Sequence, residues 1–250
     1  MEETLMKDTD AAEAGKDPVS PTGGDKNLEE MMEAGLHFGH KTSKTHPKMK
    51  PYITGVRNTI HIINLEKTKE KLDEALLALA EMVALGKVVV FVGTKVQIKN
   101  FVHDTAVEAN VPYVTERWIG GLLTNFEGVS KRIAHLKDLE KKLADEEEAN
   151  KYTKWERHEM QEEIEKLNEK FGGMKTLEKL PDAIFVFDFD ENQLAVKEAK
   201  QKGIQVFAIC DTNCDPSLVD YAIPANDDAI SSVRYILQKV KDAILKARAT

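Results

Sequence analysis

Two histidines three positions apart, His37 and His40 in Leu36-His-Phe-Gly-His, open the stretch of this 250-residue chain where anion- and metal-binding side chains crowd together. Neutral imidazoles are common metal ligands, but neighbouring carboxylates are absent, and only His46 and His61 lie nearby. Phosphate contact suits these surroundings better than a metal does. Residues 37–64 also carry Lys41, Lys44, Lys48, Lys50 and Arg57 without one acid, a local charge of +5, whereas residues 1–36 hold ten acids and three lysines, a charge of −7. The chain as a whole stands at −8. That average argues against nucleic-acid binding, but the asymmetry of neighbouring segments is more informative, because one basic face is enough to meet phosphates.

A second unusual segment is Arg117-Trp-Ile-Gly-Gly-Leu-Leu-Thr-Asn-Phe126. Paired glycines beside a Trp and an Arg predict a tight turn with close backbone approach. Arg117 and Asn125 could meet RNA phosphate, 2′-hydroxyl or base, while Trp118 and Phe126 belong in the core.

Catalytic patterns are weaker. Phe187-Asp-Phe-Asp190 at a strand end resembles the D-x-D of aspartate-nucleophile phosphatases, with Thr212, Lys202, Asp227 and Asp228 as nominal partners. Those partners crowd into about forty residues, and the usual Thr after the motif is missing. A metal-dependent phosphatase built on Asp188 and Asp190 is therefore the alternative, not the main expectation. Asp188 and Asp211 are read as polar residues at strand ends, where open α/β sheets collect them. Neither G-x-G-x-x-G nor G-x-x-x-x-G-K-[ST] occurs, and Val92-Gly-Thr-Lys95 is only half a phosphate loop. Cys210 and Cys214 match neither zinc nor redox spacing and are expected to be reduced thiols. No cofactor and no metal is expected.

The elements that must position these residues follow from periodicity. Residues 1–26 have almost no large apolar side chain and are expected to form a disordered acidic tail. Asn27 then caps a short helix, 28–34, ended by Gly35. Pro47, Pro51 and Gly55 predict a loop for the basic segment. Strand and helix alternate from residue 59: strands at 60–64, 88–92, 113–115, 183–187 and 205–209, helices at 68–85, 96–109, 193–202 and 229–247. Apolar strands separated by helices predict a doubly wound, flavodoxin-like parallel sheet. Residues 129–171 interrupt the alternation with a narrow apolar stripe, Ile133, Leu136, Leu139 and Leu143, then Met160, Ile164, Leu167 and Phe171. Spacings of three and four predict an antiparallel coiled-coil hairpin, restarted by a Thr153/Glu156 capping box. It projects from a body of 27–128 and 172–250, contributes little core, and reaches towards a partner. No apolar run of membrane-spanning length occurs, and the start of the chain lacks the features of a secretory signal, so a cytoplasmic protein is expected.

Seven motifs in order, His37-Phe-Gly-His-Lys, Pro47-Lys-Met-Lys-Pro-Tyr-Ile, Asn58 to Thr68, Phe91-Val-Gly-Thr-Lys, Arg117 to Phe126, Leu180-Pro-Asp-Ala and Asp211 to Pro216, resemble the bacterial small-subunit ribosomal protein S-two family. The resemblance runs from about residue 28 to 240. It implies a non-enzymatic structural constituent of the small subunit that binds 16S ribosomal RNA, sits beside other small-subunit proteins and helps to recruit the large mRNA-binding protein S-one; no membrane and no small-molecule substrate are implied. On its motifs His37, His40, Lys41, Lys48, Lys50, Arg57, Lys95, Arg117 and Asn125 are expected near rRNA, with Lys44, Lys131 and Arg132 beside them. Departures from the family pattern fall at Ser43–His46, Val96, Phe189-Asp190 and Ala225, and the acidic tail is extra.

Overall fold

The sequence folds, in a computed structural model that describes residues 26–249, into two sheets of opposite character. The acidic tail lies outside the described residues except for Lys26, which opens helix α1 (Lys26–Glu33) instead of ending the tail. Gly35, at φ +78°, closes that helix as expected, and the Leu36 amide bonds back to the Met31 carbonyl at 3.1 Å.

The basic segment is not a loop. It forms a three-stranded antiparallel sheet, order β1-β3-β2, from β1 (Phe38–Lys41), β2 (Ile53–Arg57) and β3 (Ile60–Ile63). The prolines do break helix, but they do so inside the β1–β2 connection, where Pro47 opens a 3₁₀ turn (Pro47–Tyr52) and Pro51 sits within it. Gly55 occupies β2 where the ladder register shifts. Asn58 and Thr59, both at positive φ, make the two-residue turn joining β2 to β3, a turn whose handedness suits a twisted hairpin. The strand expected at 60–64 as the first of the parallel sheet is thus the centre of the small sheet.

The parallel sheet begins after α2 (Leu65–Ala84), which Asn64 caps by accepting from the Glu66 and Lys67 amides. In chain order it comprises β4 (Val89–Val92), α3 (Lys99–Glu108), β5 (Tyr113–Val114), the helices α4 (Phe126–Ala144), α5 (Glu146–Ala149) and α6 (Lys154–Phe171), β6 (Ala183–Val186), α7 (Gln193–Lys202), β7 (Gln205–Cys210), β8 (Tyr221–Pro224) and α8 (Ile230–Ala249). Every pairing is parallel, in the order β5-β4-β6-β7-β8. Strands taken in sequence as one to five then read 2-1-3-4-5, a doubly wound sheet as expected. β8 escapes periodicity because it lies at an edge, is buried over only its second half and ends in Pro224.

Alternation along each strand splits the core into two clusters. Val89, Phe91, Phe185, Phe207 and Ile209 face one way, onto α2, α3 and α8. Val90, Val92, Ile184, Val186, Val206 and Ala208 face the other way, onto α4, α6 and α7. The buried stripe of the helix pair, Ile133, Leu136, Leu139, Ile164, Leu167 and Phe171, belongs to this second cluster. The apolar stripe of that pair is thus continuous with the body's cluster, while its two helices pack chiefly on each other. Polar contacts flank the stripe, His135 to Glu163 at 3.1 Å and Glu140 to Asn168 at 3.1 Å and Lys175 at 2.5 Å. The capping box forms as expected at Thr153 and Glu156, and Trp155 in the following turn is 70% exposed. Among the described residues no helix is long and apolar enough to cross a membrane.

Candidate functional site

The carboxyl ends of the parallel strands converge on a polar rim, and the switch point between β4 and β6 is its first station. In sheets of this order ligands bind at such a point because helix N-terminal and loop amides are left open there. Here Asp188, immediately beyond β6 and buried, accepts from the amides of Thr94 at 2.8 Å and Lys95 at 3.0 Å. Asn192 adds a donor to the same carboxylate and a bond to the Thr94 hydroxyl at 3.0 Å. The chain's own carboxylate thus stands where a phosphate would. Burial raises the Asp188 carboxyl to about 6, against the pull of the two amides. Asp190 is exposed and engaged by Gln193 at 3.0 Å. The aspartates of the D-x-D pattern therefore differ, one spent on backbone and one on the surface.

Next along the rim, β1 docks against the ends of β7 and β8. The His40 amide donates to the Thr212 hydroxyl at 2.9 Å, and the His46 amide to the Thr212 carbonyl at 2.8 Å. The approach is close enough that a Cβ on Gly39 would lie 2.6 Å from the Thr212 methyl, which accounts for glycine between Phe38 and His40. His40 Nδ1 meets Asp211 at 3.0 Å and Nε2 meets Asp228 at 3.4 Å. Its hydrogen bond to Asp211 raises the imidazole above its ordinary value, with burial opposing and the charges of Asp211, Asp228 and Asp227 assisting. Burial raises the Asp227 carboxyl to about 7, helped by Asp211 and Asp228 and opposed by Lys95. Lys95 reaches Asp228 at 2.6 Å and Asp227 at 3.4 Å, and although burial works against its charge these partners raise it.

Sequence distance concealed these carboxylates from His40, which the sequence places in acid-free surroundings. His40, Asp211 and Asp227 each offer one atom, all within 4.8 Å of one another. One nitrogen and two carboxylate oxygens form a donor set that a divalent cation accepts. A cation there would compete with the Lys95 ammonium, which already supplies positive charge to Asp227, one of the two carboxylates of the set. Cys210 and Cys214 are both buried beside this rim, and burial pushes their thiols well above the ordinary range.

The residues expected near RNA divide by what they touch. His40 and Lys95 face the aspartates just described. Lys48 is held by Asp215 at 2.8 Å and Ser217 at 2.6 Å, which keeps the Asp215 carboxyl well below its usual range. Lys131 pairs with Glu127 at 2.8 Å along α4. His37 is half-buried, and burial together with the Arg57 charge lowers its pKa. By contrast Lys41, Lys44, Lys50 and Arg57 are exposed and make no salt bridge among the described residues. Lys41 and Arg57 both lie opposite Ile60, one on each side. Residues directly opposite one another share a face of the sheet, so these two cations stand on one face about 10 Å apart, two strand spacings.

The Arg117–Phe126 segment is organised by a residue that sequence reasoning missed. Glu198, buried on α7, accepts from the amides of Gly121 at 2.8 Å, Leu123 at 3.0 Å and Thr124 at 3.1 Å, from the Thr124 hydroxyl at 3.2 Å, and from the Trp118 indole at 3.4 Å. Burial opposes its charge, but the amides outweigh burial and hold the carboxyl below its usual value. Gly121 at φ +90° permits the turn. An acid among alternating polar residues of a surface-patterned helix carries no sequence signal for this. Trp118 is 6% exposed and Phe126 packs against the same core, as expected. Arg117, Asn125 and Arg132 remain exposed on the outside of the loop and of α4.

Known proteins resemble this chain over most of its length. A model of the family described as Ribosomal protein S2 matches residues 31–247. The chain is 50% identical over 222 residues to the small ribosomal subunit protein uS2 of a Roseiflexus species, covering 89% of this chain and 84% of that protein. It is 46% identical over 221 residues to the uS2 of Chlorobium chlorochromatii, covering 88% of each, and 44% identical over 219 residues to that of Chloroflexus aggregans, covering 88% of this chain and 92% of that protein.

Proposed function

The chain belongs to the ribosomal protein S2 family, and from that premise we propose that it is anchored to 16S ribosomal RNA through the exposed cations of the small antiparallel sheet and of its β1–β2 connection. As a family member it is a non-enzymatic, structural constituent of the small subunit of the cytoplasmic ribosome. The observation that carries the proposal is the sorting of the basic segment: Lys48 is tied to the body, while Lys41, Lys50 and Arg57 are exposed with no salt bridge among the described residues, and Lys44, equally exposed, meets only the more distant charge of Asp228. Lys and Arg in that state release counterions when they meet phosphates. Hydrogen bonds to phosphate fix register and carry no sequence, so shape dominates recognition. The remaining candidates near RNA are His37 beside Arg57, and Arg117, Asn125, Lys131 and Arg132 around the root of α4. His40 and Lys95 act from within, by holding β1 and the β4 loop against the aspartates.

Helices α4 and α6, residues 129–171, are proposed as the antiparallel coiled-coil hairpin projecting from a body of 27–128 and 172–250. Its buried root and its exposed first turn around Trp155 favour reach towards a neighbouring component of the subunit. Assistance in recruiting the S-one protein is proposed on the same family premise.

Co-sedimentation of the tagged chain with small subunits across a salt series tests the RNA assignment. The quadruple substitution Lys41→Ala, Lys44→Ala, Lys50→Ala and Arg57→Ala is expected to weaken recovery and flatten the salt dependence. An unchanged slope would remove the sheet from the RNA face.

A further inference from the structure

The Arg117–Phe126 loop, α4, α6 and α7 enclose a groove of 530 Å³ that no contact described above uses. Its two sides differ in chemistry. Leu194 lines it from α7 at 48% exposure, with Ile119 and Leu167 completing an apolar floor. Gly120, exposed between Ile119 and Leu194, brings bare backbone to that floor. The rim carries Arg117, Arg132 and Lys170 and no carboxylate. All three cations are exposed and make no salt bridge among the described residues. Their neighbours are not so placed, since Lys131 is paired with Glu127 and Lys175 with Glu140. In a chain of 43 acids, three unpaired cations around one apolar, acid-free groove mark an anionic occupant with an apolar part.

We propose that this groove takes one unstacked nucleotide of single-stranded ribosomal RNA, its base on the Leu194–Ile119 floor and its flanking phosphates on Arg117, Arg132 and Lys170. The inference rests on the RNA-binding function proposed above and deepens it by naming a second site and what it takes. A base-paired RNA helix presents phosphates but keeps its base faces stacked, so it leaves the floor exposed; a free phosphate does the same. A looped-out nucleotide covers both parts, because RNA loops splay their bases onto apolar and guanidinium surfaces. Guanidinium groups also match phosphate oxygens in bidentate geometry, which suits two arginines on a rim.

The test uses the full chain assembled into small subunits, with a diazirine-bearing amino acid replacing Leu194. The exposed position leaves the core intact, and irradiation is expected to join it to a nucleotide of 16S RNA that is unpaired in the subunit. In parallel, the triple substitution Arg117→Ala, Arg132→Ala and Lys170→Ala is expected to reduce the salt slope of binding by about 2, at about 0.7 per single-strand phosphate contact, and to abolish the crosslink. A crosslink to a neighbouring protein, a crosslink to a base-paired nucleotide, no crosslink, or a triple variant with unaltered salt slope overturns the groove assignment while leaving the sheet assignment standing. Wild-type chain that fails to bind 16S RNA removes the RNA-binding proposal itself, and the groove assignment with it.

Discussion

At the scale of single residues, Glu198 organises more backbone than any basic residue the sequence brings forward. Its two oxygens gather three amides, a hydroxyl and an indole into the turn that carries Arg117 and Asn125. Glu198→Gln keeps the shape but turns an NH₂ towards those donors, and is expected to cost about 2–4 kcal/mol, as charged hydrogen bonds lost in a buried place do; chemical denaturation measures it. Because the folded carboxyl lies below its ordinary value, its contribution is complete above the unfolded pKa and is lost as pH falls through the folded one. Wild-type stability therefore drops more steeply than that of Glu198→Gln on the acid side of the ordinary glutamate range, and parallel curves there would refute the role. Residue types with an obvious charge pattern were legible in the sequence, as with Lys41, Lys44, Lys50 and Arg57. Partnership across long separations was not: Lys48 to Asp215 and His40 to Asp211 are joined only by the fold.

Among the elements, the sequence shows those with a full period and hides those without one. Helix α7 at Gln193–Lys202 was legible to the residue, since Gly203 ends it with a left-handed turn. Strands β4, β6 and β7 were legible as buried runs. The small sheet was not, because its strands are of four or five residues, broken by a bulge and joined through an Asn58-Thr59 turn instead of the usual glycine-bearing pair. Its attachment to the body is tight at one point. Gly39→Ala would drive a methyl into the buried Thr212, and is expected to cost about 1–3 kcal/mol as overpacked sites do, with faster amide exchange in β1; unchanged exchange would mean that the edges yield freely. The helix pair has its own weak point at the entry to α6. Thr153→Ala removes half of the capping box and is expected to cost about 1 kcal/mol, visible first as lost protection in the turn around Glu156, with the parallel sheet unaffected.

For the whole molecule, charge is distributed to one purpose. A chain at −8 repels polyanions over most of its surface, and the proposed RNA contacts fall where exposed cations gather, at Lys41, Lys44, Lys50 and Arg57 and around the groove of Arg117, Arg132 and Lys170. The quadruple alanine variant of the first group is expected to lower the magnitude of the salt slope by about 3, near 0.7–0.9 for each phosphate contact, and to leave the melting transition close to that of wild type, because none of the four side chains holds the fold together. A large fall in melting temperature would show that they do. The doubly wound class was legible from alternation alone, but the continuity of the helix pair's stripe with the body's apolar cluster was not, since periodicity does not show what packs at the foot of a stripe. That arrangement also leaves the chain with two indoles, its full complement of tryptophan, in opposite settings: Trp118 enclosed beside Glu198 at 6% exposure and Trp155 at 70% on the first turn of α6. The protein thus carries its own pair of optical reporters, a blue-shifted emitter shielded from iodide that follows unfolding of the body, and a red-shifted, iodide-quenchable one that follows the exposed entry to α6.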